Sequence, residues 1–449
     1  MQFEANGFSF ELSENKKYSI PKKIIELYKY GFYLIIAVDN GNWIVFENDE
    51  QKKIFYDLKN GMQLKDILEK YAFSVSDINH VVVQLEGHHF EVNYTPERYE
   101  ETFFLRIYLT NNCNLRCKHC FMYASTARRD ELTPVEIEKL IEESHKNGAN
   151  KLILTGGEVV TSDSLEIALK TAKKYGMYTQ ILSNGTLWTE SLIEKLVTYI
   201  DEIQVSIDGF NEETNAEIRG KGTFKKALEV VDFFVRKKIL VSVVITPLYD
   251  YVEKYYNEYI GFGKALVKKY ENDNFLIIFA NEIINGRNVS SDFDKNQKYK
   301  EKISAICEEI YENNEITAFF VNHQYNRIFR NCGYGNLTVS SLGDFYFCGR
   351  IYDVKKYGNI RTVPFAKIME LRKKAREITQ IDNISGCNNC ELKYVCGGGC
   401  RIYNFPSLTQ INDLDSYQKE DLYALHCTKE YKENIYRLMI ETCNFLMWK

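Results

Sequence analysis

Phe103-Phe-Leu-Arg-Ile-Tyr-Leu-Thr-Asn-Asn-Cys113-Asn-Leu-Arg-Cys117-Lys-His-Cys120 joins an apolar run to a loop carrying three cysteines. The run Phe103–Leu109 is rich in the aromatic and branched side chains that favour strands. Cys113, Cys117 and Cys120 follow it in a C-x3-C-x2-C spacing. A structural zinc site closes with four ligands, and a simple iron–sulfur cluster takes four cysteines. Three thiolates on one short loop can instead hold three irons of a [4Fe–4S] cube and leave the fourth iron open for chemistry.

Outward from this stretch, strand-like runs recur at Lys151–Thr155, Tyr178–Leu182, Ile203–Ile207, Leu240–Ile245 and Phe275–Phe279, with helical patterns between them. Thr133-Pro134-Val135-Glu136 combines a capping box with proline at the first helical position. Thr223 is placed to cap the helix that runs to Lys237. The alternation predicts an α/β fold with a parallel sheet. Six units rather than eight predict a partial (β/α)6 TIM-like barrel over residues 96–290. Ligands of such a sheet gather at the carboxyl ends of its strands. There stand Gly156-Gly157-Glu158, whose glycines permit close backbone approach to a ligand and whose Glu158 can accept from an ammonium. Ser183-Asn184-Gly185, then Ser206 with Asp208, can hydrogen-bond a ribose or a carboxylate. Arg219 can pair a carboxylate. Asn285-Gly286-Arg287 follows the sixth strand. Taken singly, each of these is an ordinary turn or surface residue.

Residues 1–95 read as a winged-helix-like module. Tyr33–Asp39 and Trp43–Phe46 form a hairpin about Asn40-Gly41, and helices follow over Asp49–Leu58, Leu64–Tyr71 and Asp77–Leu85. A hairpin edge can accept an extended peptide by strand addition; the plainer alternative is an extension that packs on the next domain. The segment has no arginine-rich recognition helix, which argues against DNA. A linking helix region spans 291–329, with a helix over Glu301–Ile310. Residues 330–449 are short, glycine-punctuated and cysteine-rich, with too little apolar periodicity to build a core, so the cysteines are the expected staples. They run Cys332, Cys348, Cys387-x2-Cys390-x5-Cys396-x3-Cys400 and Cys427. A zinc ribbon of Cys387, Cys390, Cys396 and Cys400 is the alternative reading. Cys307 and Cys443 sit in helical patterns and read as small core residues.

The bulk properties agree. A chain of 449 residues calls for two or three domains. A net charge of −5 gives no pull toward nucleic acid or anionic membrane. Neither a secretory signal nor an apolar run long enough for a membrane span is visible, so a cytoplasmic location is expected. In a reducing cytosol, twelve cysteines in tight clusters point to metal rather than disulfides.

Together these residues resemble the radical S-adenosylmethionine (radical SAM) superfamily, in its branch with a C-terminal SPASM domain, over about residues 103–430. The resemblance implies an oxidoreductase with three [4Fe–4S] clusters and S-adenosylmethionine (SAM). Cys113, Cys117 and Cys120 would hold the SAM-cleaving cluster. His119, at a usually aromatic position, would lie near the adenine. Gly156, Gly157 and Glu158 would hold the methionine amino group, and Ser183, Ser206 and Asp208 would surround the ribose and methionyl moiety, with Arg219 on the carboxylate. One auxiliary cluster would take Cys387, Cys390, Cys396 and Cys427. The other would take Cys332, Cys348 and Cys400, with no cysteine in His323–Asn331 to complete it, leaving a position for a substrate thiolate. The first hundred residues resemble the recognition element of enzymes that modify ribosomally made peptides. The whole resembles a sactipeptide- or ranthipeptide-type maturase that forms a cysteine sulfur-to-carbon thioether. The resemblance also implies a precursor peptide and an electron donor such as flavodoxin or ferredoxin as partners. Carbon–carbon crosslinking, such as Lys to Trp, is the alternative reaction. A non-catalytic iron–sulfur peptide-binding protein is the alternative class.

Overall fold

The computed structural model describes residues 1–5, 8–92, 103–271, 273–311, 328–351, 353–404 and 427–448. They belong to two compact units, one of Met1–Glu101, Asn313–Tyr334 and Arg376–Lys449, the other of Thr102–Glu312 and Gly335–Ala375.

In the first unit β1 (Gln2–Ala5) and β2 (Phe8–Glu11) form an antiparallel pair. A three-stranded antiparallel sheet follows in the order β3 (Ile24–Lys29), β4 (Phe32–Ala37), β5 (Trp43–Phe46). Helices α1 (Asp49–Lys59), α2 (Leu64–Lys70) and α3 (Val75–Gly87) come next. Asn48 starts α1 by accepting from the Gln51 N–H at 2.9 Å. The expected hairpin and three helices are present, and β3 completes the sheet. Both faces of that sheet are buried. Ile35, Ala37, Ile44 and Phe46 pack with Ile54, Phe55 and Val81. Leu34, Ile36, Trp43 and Val45 pack instead with Leu392, Val395, Ile435, Tyr436, Met439 and Ile440. The Trp43 indole N–H donates to the Met439 carbonyl at 3.0 Å. Gly41 has φ +74, and a Cβ there would meet the Tyr394 Cβ at 2.8 Å. Residues of the first hundred positions thus share one core with Leu392, Val395 and the helix Lys429–Trp448. The physical reason is the unbroken apolar run in β4, which needs cover on two sides.

The second unit alternates β6 (Phe104–Tyr108), α4 (Pro134–Lys146), β7 (Lys151–Thr155), α5 (Leu165–Lys174), β8 (Tyr178–Ser183), α6 (Glu190–Leu196), β9 (Glu202–Ser206), α7 (Glu212–Arg219) and α8 (Thr223–Arg236). It continues with β10 (Leu240–Ile245), α9 (Tyr249–Lys254), α10 (Tyr256–Lys269), β11 (Phe275–Phe279) and α11 (Phe293–Ile310). Thr133 and Glu136 form the predicted capping box. Thr223 instead is the first residue of α8, with Gly222 at φ +75 before it; its hydroxyl donates to the Gly220 carbonyl at 2.7 Å. The expected linking region 291–329 contains α11, and its residues 312–327 lie outside those described.

Strands β6 to β11 are parallel neighbours, as the alternation predicts. Three further strands, β12 (Leu337–Val339), β13 (Asp344–Tyr346) and β14 (Gly358–Asn359), extend the sheet to nine in the order β11-β10-β9-β8-β7-β6-β12-β13-β14. β12 lies parallel to β6, pairing Leu337 with Leu105 and Val339 with Ile107. Residues 335–375 thereby cover what would be the open β6 edge. One face of the sheet, including Leu105, Leu154, Ile181, Val205, Val243 and Ile277, is buried, and α5, α8 and α10 pack on its strands. On the opposite face Tyr108, Ile153 and Ser242 are buried, whereas Arg106, Gln180, Gln204 and Ser206 are half-buried. Among the described residues no helix is long and apolar enough to cross a membrane.

Candidate active site at the cysteine loop

The loop that carries Cys113, Cys117 and Cys120 leaves the carboxyl end of β6 and is gripped from two sides. After β7, the Gly157 N–H donates to the Thr110 carbonyl at 2.8 Å and the Glu158 N–H to the Asn112 carbonyl at 2.7 Å. A Cβ on Gly156, at φ +150, would sit 2.6 Å from the Thr110 oxygen, and one on Gly157 would sit 2.2 Å from the Asn112 oxygen. The glycines thus admit the cysteine loop itself; the sequence suggested close approach, but to a ligand. After β11, Gly286 is buried, and a Cβ there would lie 2.5 Å from the His119 carbonyl oxygen. The Arg287 N–H donates to the Cys120 carbonyl at 3.2 Å and the Asn288 N–H to the Lys118 carbonyl at 2.7 Å. Arg287 also donates from Nη2 to the Ala124 carbonyl at 2.5 Å. Asn285-Gly286-Arg287, the faintest motif in the sequence, is therefore a clasp on the cysteines.

Beneath the loop lies a buried ionic group. Asp208 Oδ2 is 2.5 Å from Arg219 Nε and 2.7 Å from His119 Nε2. Its Oδ1 accepts from the Thr246 N–H at 2.9 Å. Burial pushes the Asp208 carboxyl up, but Arg219 and His119 outweigh it and hold it at about 2. Arg219 is thus already committed to Asp208, and its Nη1 reaches to 3.8 Å from Cys117 Sγ. Asp208 fixes His119 through Nε2, while Nδ1 is buried without a partner among the described residues. Glu158 is also buried: Oε1 accepts from the Ser183 hydroxyl at 2.7 Å, and Oε2 from the Asn184 N–H at 2.8 Å. Burial raises its carboxyl, and Ser183, Asn184 and Val160 oppose the rise. Glu158 and Ser183 hold one another and the β7 and β8 loops; Ser206 is half-buried at the end of β9.

The three thiols suit an iron–sulfur cube. Cys113 Sγ accepts from the Leu115 N–H at 3.4 Å and lies 3.9 Å from Asn184 Nδ2. Such donors to sulfur are what cluster thiolates receive. Burial pushes the Cys113 thiol up to about 11, with Glu158, Cys117 and Cys120 adding to the rise. Burial raises Cys117 as well, against the Arg219 charge. Crowded thiols of this kind need bound cations to ionise together. Among the described residues no Cys, His, Asp or Glu group is arranged for a single metal ion.

Downstream, Cys387, Cys390, Cys396 and Cys427 fall within one electrostatic neighbourhood: burial pushes Cys387 up to about 11, and the other three thiols add to it. Cys396 Sγ is 3.4 Å from the Tyr431 hydroxyl. Cys332 Sγ accepts from the Arg401 N–H at 3.3 Å. Cys332 and Cys400 belong to the first unit and Cys348 to the second. Sequence reading missed Arg401. It is wholly buried, donating from Nε to the Thr379 carbonyl at 2.8 Å, from Nη1 to Gly399 at 2.8 Å and from Nη2 to Arg330 at 3.1 Å. Only its place beside Cys400 hinted at this. Cys443 is buried 3.6 Å from His88 Nε2, and Cys307 is half-buried in α11.

Residues 107–262 match the radical SAM superfamily. The AdoMet-dependent heme synthase of Methanosarcina barkeri (strain Fusaro / DSM 804) is 30% identical over 347 residues, which is 71% of this chain and 95% of that protein. The chain belongs to the radical SAM superfamily. Its members use a [4Fe–4S] cluster and SAM, and the loop just described fits both. The antilisterial bacteriocin subtilosin biosynthesis protein AlbA of Bacillus subtilis (strain 168) is 27% identical over 202 residues, 44% of this chain and 42% of that protein. Among solved structures, native anSMEcpe with bound AdoMet aligns with a TM-score of 0.56 at 18% identity, covering 76% of this chain and 99% of that one. That likeness is one of fold, and it supports the radical SAM α/β architecture.

Proposed function

We propose that this radical SAM enzyme matures a ribosomally made peptide, closing an intramolecular link from a cysteine sulfur to a carbon. The observation that carries the peptide substrate is the edge of β3. The other edge of that sheet, β5, is capped by α3: the Val45 N–H donates to Gln84 Oε1 at 3.1 Å, and the His80 ring meets the Val45 carbonyl at 3.0 Å. No such bond closes β3 among the described residues, so a peptide strand can add there. The names of the relatives point the same way. One belongs to the biosynthesis of subtilosin, and anSMEcpe, at a TM-score of 0.54, is also known with a bound Cp18Cys peptide.

Cys113, Cys117 and Cys120 would hold the [4Fe–4S] cluster, which with SAM would supply the one-electron chemistry that removes a hydrogen atom from the substrate. The chain's own residues fix the geometry. Gly156, Gly157 and Gly286 hold the loop, Asp208 sets the orientation of His119 and Arg219, and the half-buried sheet face receives the substrate. The link would form as the carbon gives up a hydrogen atom and the sulfur its proton, so that two hydrogens leave, and a cluster held by the downstream cysteines would supply the acceptor for the remaining electron. The thioether reading rests on the seven cysteines of the series Cys332 to Cys427, one short of two four-ligand clusters, Cys443 being buried in the helix Lys429–Trp448.

The test is to reconstitute the full chain anaerobically with SAM and a reductant, and to co-express it with a short cysteine-containing reading frame beside its gene. 5′-Deoxyadenosine is expected; its absence leaves the non-catalytic alternative. A peptide lighter by two hydrogens and short of one alkylatable thiol is the thioether product. The same loss with every thiol still alkylatable indicates carbon–carbon linkage. Three clusters predict roughly twelve irons per chain.

A further inference from the structure

Arg106 lies in the middle of β6 on the partly buried face, in register with Thr338 of β12 and Ile153 of β7, both buried. It is half-buried. In this unit Arg287 donates to a carbonyl, while three arginines have carboxylate partners: Arg219 with Asp208, Arg350 with Glu282 and Asp353, and Arg361 with Glu136. Arg106 has none among the described residues, and its Nε is buried without an acceptor. Its guanidinium stands 5.6 Å from the Phe104 ring and lies against the turn after Cys348. A Cβ on Gly349 would fall 1.4 Å from Nη1, so the absence of a side chain there is what admits the guanidinium. The Tyr108 hydroxyl fixes the same turn by donating to the Gly349 carbonyl at 2.7 Å. A buried guanidinium nitrogen without an acceptor calls for one, and the guanidinium fork matches a carboxylate.

We propose that Arg106 binds a carboxylate of the substrate on the partly buried face of the nine-stranded sheet. Arg106 is two residues before the end of β6, hence about 7 Å back from the carboxyl edge where the cysteine loop begins. A substrate whose reacting carbon faces that loop places an acidic side chain, or a terminal carboxylate close by, at this distance. Arg106 then selects an acidic residue at or beside the modified position. This rests on the peptide reading for the identity of the ligand, though not for its charge.

The test uses the reconstituted full-length holoenzyme with SAM and measures binding by saturation-transfer NMR. Four probes are compared: acetyl-Gly-Glu-Gly-amide, acetyl-Gly-Gln-Gly-amide, acetyl-Gly-Gly-Gly with a free carboxyl end, and glutarate. At least one carboxylate peptide is expected to bind about tenfold more tightly than the Gln peptide. The Glu peptide or the free-ended peptide, whichever is favoured, tells a side chain from a chain terminus. Arg106→Gln is expected to abolish the preference, and Arg106→Lys, which keeps the charge and guards against misfolding, to retain part of it, with SAM affinity unchanged in both. Glutarate binding as well as the peptides, with the same loss in Arg106→Gln, upholds the carboxylate site and removes the peptide reading. Equal binding of Glu and Gln peptides, binding of no probe, or a preference that survives Arg106→Gln overturns the proposal.

Discussion

In β4, Leu34, Ile35, Ile36 and Ala37 are all buried in succession, whereas in β11, Ile277 is buried between Leu276 at 48% and Ile278 at 45% exposure. The three-stranded sheet is covered on both faces, and the nine-stranded sheet on one. The difference separates two jobs. A strand buried on both sides is scaffold, and its side chains answer to packing alone. A strand with one face left half-open answers to packing on one side and to whatever meets the other. The polar residues Arg106, Gln180, Gln204 and Ser206 share that open side, on the sheet whose carboxyl edge carries the cysteine loop.

The contrast is broken if equivalent truncations in the two sheets have equal effects. Trp43→Ala empties a site between β5 and the helix Lys429–Trp448 and is expected to destabilise the protein by about 3–5 kcal/mol. Because Trp43 shares its cluster with Leu392 and Val395, and Cys390 and Cys396 pack against the same cluster, iron held by the downstream cysteines should fall with it. Leu276→Ala, on the open face, is expected to stay within about 0.5 kcal/mol. Denaturant midpoints and iron content for the two variants decide the matter.

Much of this contrast was legible in the sequence. The β/α alternation predicted six parallel strands, and the cysteine spacing located the loop. The run Leu34-Ile35-Ile36-Ala37 reads only as a hairpin strand, and nothing local could say that its second cover comes from residues some 350 positions later. β12 went unread because Leu337-Thr338-Val339 is too short to show a period. The glycine pairs announced close approach without naming the partner, since a partner backbone leaves no mark in sequence. Arg106 and Arg401 are likewise indistinguishable from surface arginines until their neighbours are known.

A sharper form of the comparison concerns how rigidly the site above the open face is held. Gly286→Ala drives a Cβ to 2.5 Å from the His119 carbonyl oxygen, so the clasp must shift. Displacing a reacting group by about 1 Å costs on the order of a hundredfold in rate, or about 2.7 kcal/mol of barrier. Deoxyadenosine formation should fall by that factor. Gly261→Ala, in α10 with nothing within 4 Å of the added carbon, should leave it unchanged. A clasp variant as fast as this control would mean that the cysteine loop holds its shape unaided.

The smallest effect tests how the far edge of the open sheet is fastened. Arg361, just beyond β14, grips Glu136 of α4 through Nε at 2.5 Å and Nη2 at 2.9 Å. Arg361 is the main reason the Glu136 carboxyl is held at about 2, with burial opposing and the Thr133 N–H assisting. A folded pKa below the unfolded value of about 4.3 means stability that is fully present above that pH and lost as pH falls toward about 2. The two side chains remain 35% and 31% exposed, so solvent limits the contribution to about 1 kcal/mol or less. Glu136→Gln keeps the capping box, since glutamine serves at that position, and so removes only the charge. The wild type should exceed the variant in urea midpoint at pH 7, and the gap should close between about pH 4 and pH 2. A gap that stays constant down to pH 2 would show that shape, rather than charge, joins α4 to the edge of the sheet.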